Sequence, residues 1–129
     1  MKRIVTFGTF DLFHVGHLRI LDRCKAIGDY LAVGVSTDEF SFHKKGRYPI
    51  YPFTQRMEIL CALRAVDVAF AEDSFERKRE YLIEQKADVL VMGDDWKGKF
   101  DNFSDIVQVV YLTRTPSIST TAIVETIRK

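Results

Sequence analysis

The stretch Ile4-Val5-Thr6-Phe7-Gly8-Thr9-Phe10-Asp11-Leu12-Phe13-His14-Val15-Gly16-His17 decides how this chain folds. Its β-branched opening, Ile4-Val5-Thr6, reads as a strand. Leu18, Leu21, Cys24 and Ile27 follow at helical spacing. Gly8 to His17 is then the turn between a first strand and a first helix. In an open α/β sheet that turn lies at the carboxyl end of the strand, where ligands bind. Gly8 is expected to take dihedrals closed to other residues. Gly16 has no side chain to hold a ligand away from the backbone. His14 and His17, three apart, share a helix face. They fall in the first turn, where free N–H groups and the helix dipole favour an anion. Together these features point to a phosphate site.

A zinc reading is weaker, because two histidines alone fall short of the three or four protein ligands usual for zinc. Cys24 and Cys61 have no partner at framework spacing, which points to a reducing compartment. The 129 residues suit one domain, 1–129, large enough to bury a core without disulfides or metals. A net charge of +1 gives no sign of a nucleic-acid or membrane partner. No signal peptide pattern is visible, since Met1-Lys2-Arg3 runs directly into the first strand. The cytoplasm is the expected location.

Strands and helices alternate along the rest of the chain. The pattern predicts strands over Ile4–Phe7, Tyr30–Val35, Val66–Phe70, Ala87–Met92 and Val107–Leu112. It predicts helices over Val15–Ile27 (with Gly28 as cap), from Thr54 to about Arg64, over Phe75–Gln85 (with Ser74 as cap) and over Ser117–Lys129. Five strands interleaved with four helices imply an α/β fold: a single Rossmann-like domain, with a five-stranded parallel sheet and helices on both faces. His43 to Phe53 has no clear period and holds Lys44, Lys45 and Arg47. It reads as a loop, and its charges as a mobile basic flap over phosphates. The carboxyl ends of the strands collect the unusual residues: Thr9 to His17, Ser36 to Asp38, Gly93 to Trp96 and Arg114 to Thr121. A parallel sheet brings those ends to one edge. Arg114, Ser119, Thr120 and Thr121 supply a guanidinium and hydroxyls at the start of the last helix, a second anion cradle.

At this point the residues resemble a known family. Gly8-Thr9-Phe10-Asp11, His14-x-Gly16-His17 and Arg114-Thr115-x-x-Ile118-Ser119-Thr120-Thr121 look like the cytidylyltransferases of the nucleotidyltransferase superfamily. Gly93-Asp94-Asp95-Trp96 with Gly98-Lys99-Phe100 looks most like the glycerol-3-phosphate branch. The resemblance implies transfer of CMP from CTP to sn-glycerol 3-phosphate, giving CDP-glycerol and pyrophosphate. It also implies Mg²⁺, a homodimer and a place in surface-polymer assembly. By that likeness His14, His17, Lys44 and Arg114 are catalytic. Gly8, Thr9, Phe10, Asp11, Gly16, Asp94, Thr115, Ser119, Thr120 and Thr121 bind the nucleotide. Asp38, Lys45 and Arg56 face the acceptor. Asp11 is the candidate for the metal, or else holds the turn. Two departures stand out: Ser117, after Pro116, replaces the family glycine, and the loop from Phe42 to Phe53 is about one residue longer than the family pattern.

A phosphate monoester acceptor is already ionised near neutral pH, its second pKa being about 6. No general base is needed. The work left is alignment and charge stabilisation. Other phosphorylated alcohols (phosphocholine, phosphoethanolamine, a sugar alcohol phosphate) and a non-catalytic nucleotide-binding module are the competing readings. The first turn lacks Gly-x-Gly-x-x-Gly, and no P-loop occurs, so a dehydrogenase or P-loop enzyme is a poor fit.

Overall fold

Near-continuous apolar runs such as Leu31-Ala32-Val33 and Val89-Leu90-Val91 are buried on both faces, as parallel strands covered by helices require. The computed structural model describes residues 1–113. Strand β1 (Arg3–Gly8) is central, between β2 (Tyr30–Ser36) and β4 (Val89–Gly93). Strands β3 (Val68–Glu72) and β5 (Gln108–Leu112) form the edges, giving the order β3-β2-β1-β4-β5. Every neighbouring pair is parallel. The chain steps outward from β1 in one direction and later returns to start the other side. A crevice therefore opens at the carboxyl ends of β1 and β4.

Period-2 alternation divides the sheet into two cores. Ile4, Val33, Val35, Val89 and Val91 pack with Leu21 and Cys24 of α1 (Val15–Ile27) and Leu60 of α3 (Phe53–Cys61). Val5, Phe7, Ala32, Leu90 and Met92 pack with Tyr81 and Leu82 of α4 (Lys78–Glu84) and with Phe100 and Val107. Helices thus cover both faces. Gly34 makes room for the Phe7 ring, since a Cβ there would stand 2.3 Å from it. At the amino ends, Asp29, Asp67 and Asp88 accept the N–H groups of Lys2, Leu31 and Arg3 at 2.7–2.8 Å. Among the described residues no helix is long and apolar enough to cross a membrane.

The structure revises several sequence expectations. Residues read partly as a loop form a further helix, α2 (Asp38–Lys45). Its start and stop signals are all present. The Thr37 hydroxyl accepts from Phe40 N–H at 3.2 Å, Asp38 and Glu39 fill the first turn, and Gly46 closes it at φ 75°. Helix α3 begins at Phe53, after Pro52, and ends at Cys61, short of the expected Arg64. Helix α4 begins only at Lys78, because the Ser74 hydroxyl accepts from Glu76 N–H and closes a local turn. Gly28 ends α1 in extended rather than left-handed geometry. Its lack of a side chain serves space, as a Cβ would meet the Lys2 carbonyl at 2.7 Å. The expected closing helix lies outside the described residues.

Candidate active site

The first turn is knitted by its two histidines. His14 is the N-cap of α1, and its Nδ1 accepts from Gly16 N–H at 3.0 Å. His17 Nδ1 accepts from His14 N–H at 3.2 Å, which closes a reciprocal capping box. The rings stack with centroids 3.9 Å apart. Because both Nδ1 atoms accept, the neutral rings carry their protons on Nε2. His14 Nε2 is buried and unpaired among the described residues. Burial pushes the His14 pKa below its ordinary value. Burial, then the neighbouring His14, lowers that of His17 to about 4; Asp11 opposes this and Lys45 adds to it. Both imidazoles are therefore neutral N–H donors at pH 7. Phe10 and Phe13 pack against His17, with ring centroids at 5.6 and 5.3 Å.

Gly8 does not take the left-handed dihedrals expected of it. Those fall to Phe10 (φ 56°) and Leu12 (φ 48°), a strain of about 1–2 kcal/mol each. Gly8 is small because a Cβ would stand 2.8 Å from the Phe10 ring. Asp11 holds the turn to its surroundings. Its carboxylate accepts from Leu12, Ile50 and Tyr51 N–H at 3.1, 2.7 and 2.8 Å. The segment after α2 is thus pinned to the histidine turn.

Arg56, expected to touch the acceptor, is instead an interior brace only 1 % exposed. Its guanidinium donates to the carbonyls of Thr9, Ser36 and Tyr51 at 2.7–3.0 Å and to the Asp38 carboxylate at 2.7 Å. One buried cation thereby ties the ends of β1 and β2 to the start of α2 and the loop before α3. Asp38 remains partly exposed beside it and also accepts from Phe53 N–H at 3.3 Å.

A cavity of about 150 Å³ opens beside Gly8 and Thr9. Lys44, Lys45 and Lys78 line it with Glu72, and Phe7, Phe75, Met92, Trp96 and Phe100 complete the wall. His14 and His17 lie outside this lining, on the neighbouring turn. Lys44 and Lys45 stand on the last turn of α2, not on a flap. Lys44 Nζ donates to Ser36 Oγ at 2.7 Å, and Ser36 Oγ donates to Glu72 Oε1 at 3.3 Å. Lys78 Nζ meets Glu72 Oε2 at 2.8 Å, with both side chains buried. Burial lowers the Lys44 pKa to about 8, with Glu72 holding it up. Burial likewise lowers Lys45 and Lys78, the latter again held up by Glu72.

Glu72, Phe75 and Lys78 escaped the sequence reading, although one signal was present. Lys78 falls in the same helical stripe as Phe75, Tyr81 and Leu82, and a lysine on a buried stripe is rarely free of function or a partner. Asp94 is exposed in a short 3-10 turn, Asp94–Trp96, just beyond β4. Trp96 is 37 % exposed and sits on the cavity wall rather than in the core. Arg114, Thr115, Ser119, Thr120 and Thr121 lie outside the described residues. The strand leading to them is held by Arg23 of α1, whose guanidinium donates to the Thr113 carbonyl at 2.7 Å. Among the described residues no group of three or more His, Cys, Asp or Glu is placed to hold a metal.

Comparison with known proteins places the chain in a family. The cytidylyltransferase-like family model matches residues 5–126. The chain is 48% identical over 127 residues to a glycerol-3-phosphate cytidylyltransferase of Bacillus subtilis (strain 168), covering 98% of each. It is 45% identical over 125 residues to one of Staphylococcus aureus (strain NCTC 8325 / PS 47), covering 95% of this chain and 92% of that one. Among solved structures, a lipopolysaccharide core biosynthesis protein from Thermoplasma volcanium GSS1 superposes with a TM-score of 0.79 at 29% identity, over 89% of this chain and 98% of that one.

Proposed function

This chain belongs to the cytidylyltransferase-like family, and from that premise we propose that it transfers CMP from CTP to sn-glycerol 3-phosphate, releasing pyrophosphate. The relatives named glycerol-3-phosphate cytidylyltransferase support the reaction. The charge of the cavity supports the acceptor: three ammonium groups face one carboxylate there. A dianionic phosphate ester on a neutral glycerol fits such a lining. A phosphocholine or phosphoethanolamine head does not. The rings that would cage a quaternary ammonium already face lysines. Lys78 Nζ lies 4.1 Å from the Phe7 centroid and 4.8 Å from that of Phe100, and Lys44 Nζ lies 5.8 Å from that of Phe75.

In the reaction an acceptor phosphate oxygen forms a bond to the α-phosphorus as the bond to the β-phosphate oxygen breaks. The acceptor oxygen arrives ionised. The protein supplies alignment and donors for the developing charge. Neutral His14 and His17 offer Nε2–H groups on the nucleotide side. Lys44, Lys45 and Lys78 gather the acceptor phosphate. Arg114, Thr115, Ser119, Thr120 and Thr121 complete the nucleotide cradle in this reading, and Asp94 is its candidate for reading the base edge. Asp38 and Arg56 hold the frame between the two halves.

The described residues do not fit a magnesium cage, since the Asp11 carboxylate is engaged by backbone N–H groups. Magnesium enters this reading only with the triphosphate, which is how that ion commonly reaches such sites. A homodimer and a cytoplasmic setting complete the proposal, the former checked by light scattering. The decisive assay is pyrophosphate release with CTP and Mg²⁺, with and without sn-glycerol 3-phosphate. ATP serves as control nucleotide and phosphocholine as control acceptor. Release that requires both CTP and glycerol phosphate is expected. Equal release with phosphocholine overturns the acceptor choice.

A further inference from the structure

We propose that Glu72 is a positioning residue for the acceptor phosphate: its buried carboxylate fixes the ammonium groups of Lys44 and Lys78 on the cavity floor. This rests on the acceptor reading above and goes beyond it, since Glu72 itself offers the phosphate only repulsion.

The sheet register places the carboxylate. Ser36 and Glu72 are direct partners on β2 and β3, the last pair of that ladder. Both side chains point inward at the carboxyl edge, at 0 % and 1 % exposure. From there Glu72 reaches two lysines on two different helices. It meets Lys78 of α4 directly at 2.8 Å and Lys44 of α2 through the Ser36 hydroxyl, at 3.3 and 2.7 Å. Two like charges at one cavity repel each other, and each long side chain has rotamer freedom to swing away. A shared carboxylate beneath them removes both problems. Lys78 is further confined between the Phe7 and Phe100 rings. A buried carboxylate has several acceptor sites to satisfy. This one links two lysines, and both face the cavity.

The charge also sets the state of Lys44. The groups that face Lys44 are Glu72 on β3, Lys45 on its own helix, Lys78 on α4 and Arg56 on α3. Only Glu72 favours the charged form. Without it, Lys44 loses its proton at lower pH.

The test measures pyrophosphate release by the full chain, varying CTP and sn-glycerol 3-phosphate separately, across pH 6 to 9. In Glu72→Gln, KM for the acceptor is expected to rise about tenfold or more, as for loss of a charge-assisted bond. KM for CTP should stay within about twofold. The alkaline fall of kcat/KM for the acceptor, which reports the free enzyme, should move to lower pH. Glu72→Asp, which keeps the charge, should restore the wild-type pH limb. Ser36→Ala cuts only the Lys44 branch and leaves the Lys78 pair intact, so it tests the idea even where Glu72→Gln fails to fold. It should raise acceptor KM by a smaller factor. A wild type inert with glycerol phosphate overturns the acceptor reading and this proposal with it. An active wild type overturns this proposal alone if Ser36→Ala leaves acceptor KM unchanged. The proposal also falls if Glu72→Gln changes both KM values equally with no movement of the pH limb.

Discussion

The histidine turn closes on itself between His14 and His17, while the cationic floor joins Ser36, Lys44, Glu72 and Lys78 from four different elements. In the turn, backbone N–H groups bond to imidazole nitrogens within four residues, so the segment carries its own geometry. On the floor, no residue is placed by its neighbours in sequence. Ser36 and Glu72 meet because β2 and β3 pair in register, and Lys44 and Lys78 arrive on two separate helices. The turn presents neutral donors, the floor full charges. Burial affects both, lowering the histidine pKa values and the lysine pKa values alike. For the histidines that removes a charge at pH 7. For Lys44, held up by Glu72, it leaves the charge in place until about pH 8. A local motif can thus be read and cut as a unit, whereas the floor fails as a network.

The largest effect expected from breaking this contrast is on the floor. Lys78→Ala strands Glu72 in the interior without its direct partner, and loss of one member of a buried pair costs about 3–5 kcal/mol. Urea unfolding measures this, and a loss under about 1 kcal/mol, the range of exposed pairs, would mean that the pair is solvated. His17→Ala should act the other way, sparing the fold and losing turnover by about 100- to 1000-fold. Its structural cost is that of a helix cap, about 1 kcal/mol. Steady-state rates beside a thermal melt separate the two, and unchanged turnover would remove His17 from the chemistry.

Acid should act on the turn through His17. The folded pKa of His17, about 4, lies below its ordinary 6.5, so the unfolded chain takes up the proton first. Stability from this group is complete above about pH 6.5 and declines as pH falls toward 4. Protonated Nδ1 can no longer accept from His14 N–H. Unfolding free energies across that window should slope downward with falling pH, with a shallower slope in His17→Ala. The smallest effect lies between the two halves. Gly46→Ala meets no atom within 4 Å but keeps φ 75°, so it should cost only about 1 kcal/mol. A larger loss would show that α2 and the segment after it move as one piece.

Much of the first half was legible. The strand, turn and helix around His14 and His17 follow from β-branching, helical spacing and cap chemistry over a short local stretch. Helix α2 was legible too, in Thr37, Asp38, Glu39 and Gly46, but the basic residues that followed read more readily as a loop. Arg56 carried no signal of its inward turn. A cation in a helix ordinarily points to water, and only oxygen acceptors gathered from Thr9, Ser36, Asp38 and Tyr51 hold it inside. Glu72 lay beyond the strand expected over Val66–Phe70, and nothing marked it as an inward carboxylate.

The sequence by itself determined the alternation of strands and helices, the histidine turn at the end of the first strand and the family. Each depends on interactions among near neighbours or on motifs of fixed spacing. Tertiary structure alone decided that Arg56 braces rather than binds, that Gly8 yields to a ring rather than to a dihedral, and that Glu72 joins two lysines beneath one cavity. Those outcomes turn on burial and on sheet register. Both are set by how distant segments pack, which local spacing does not encode.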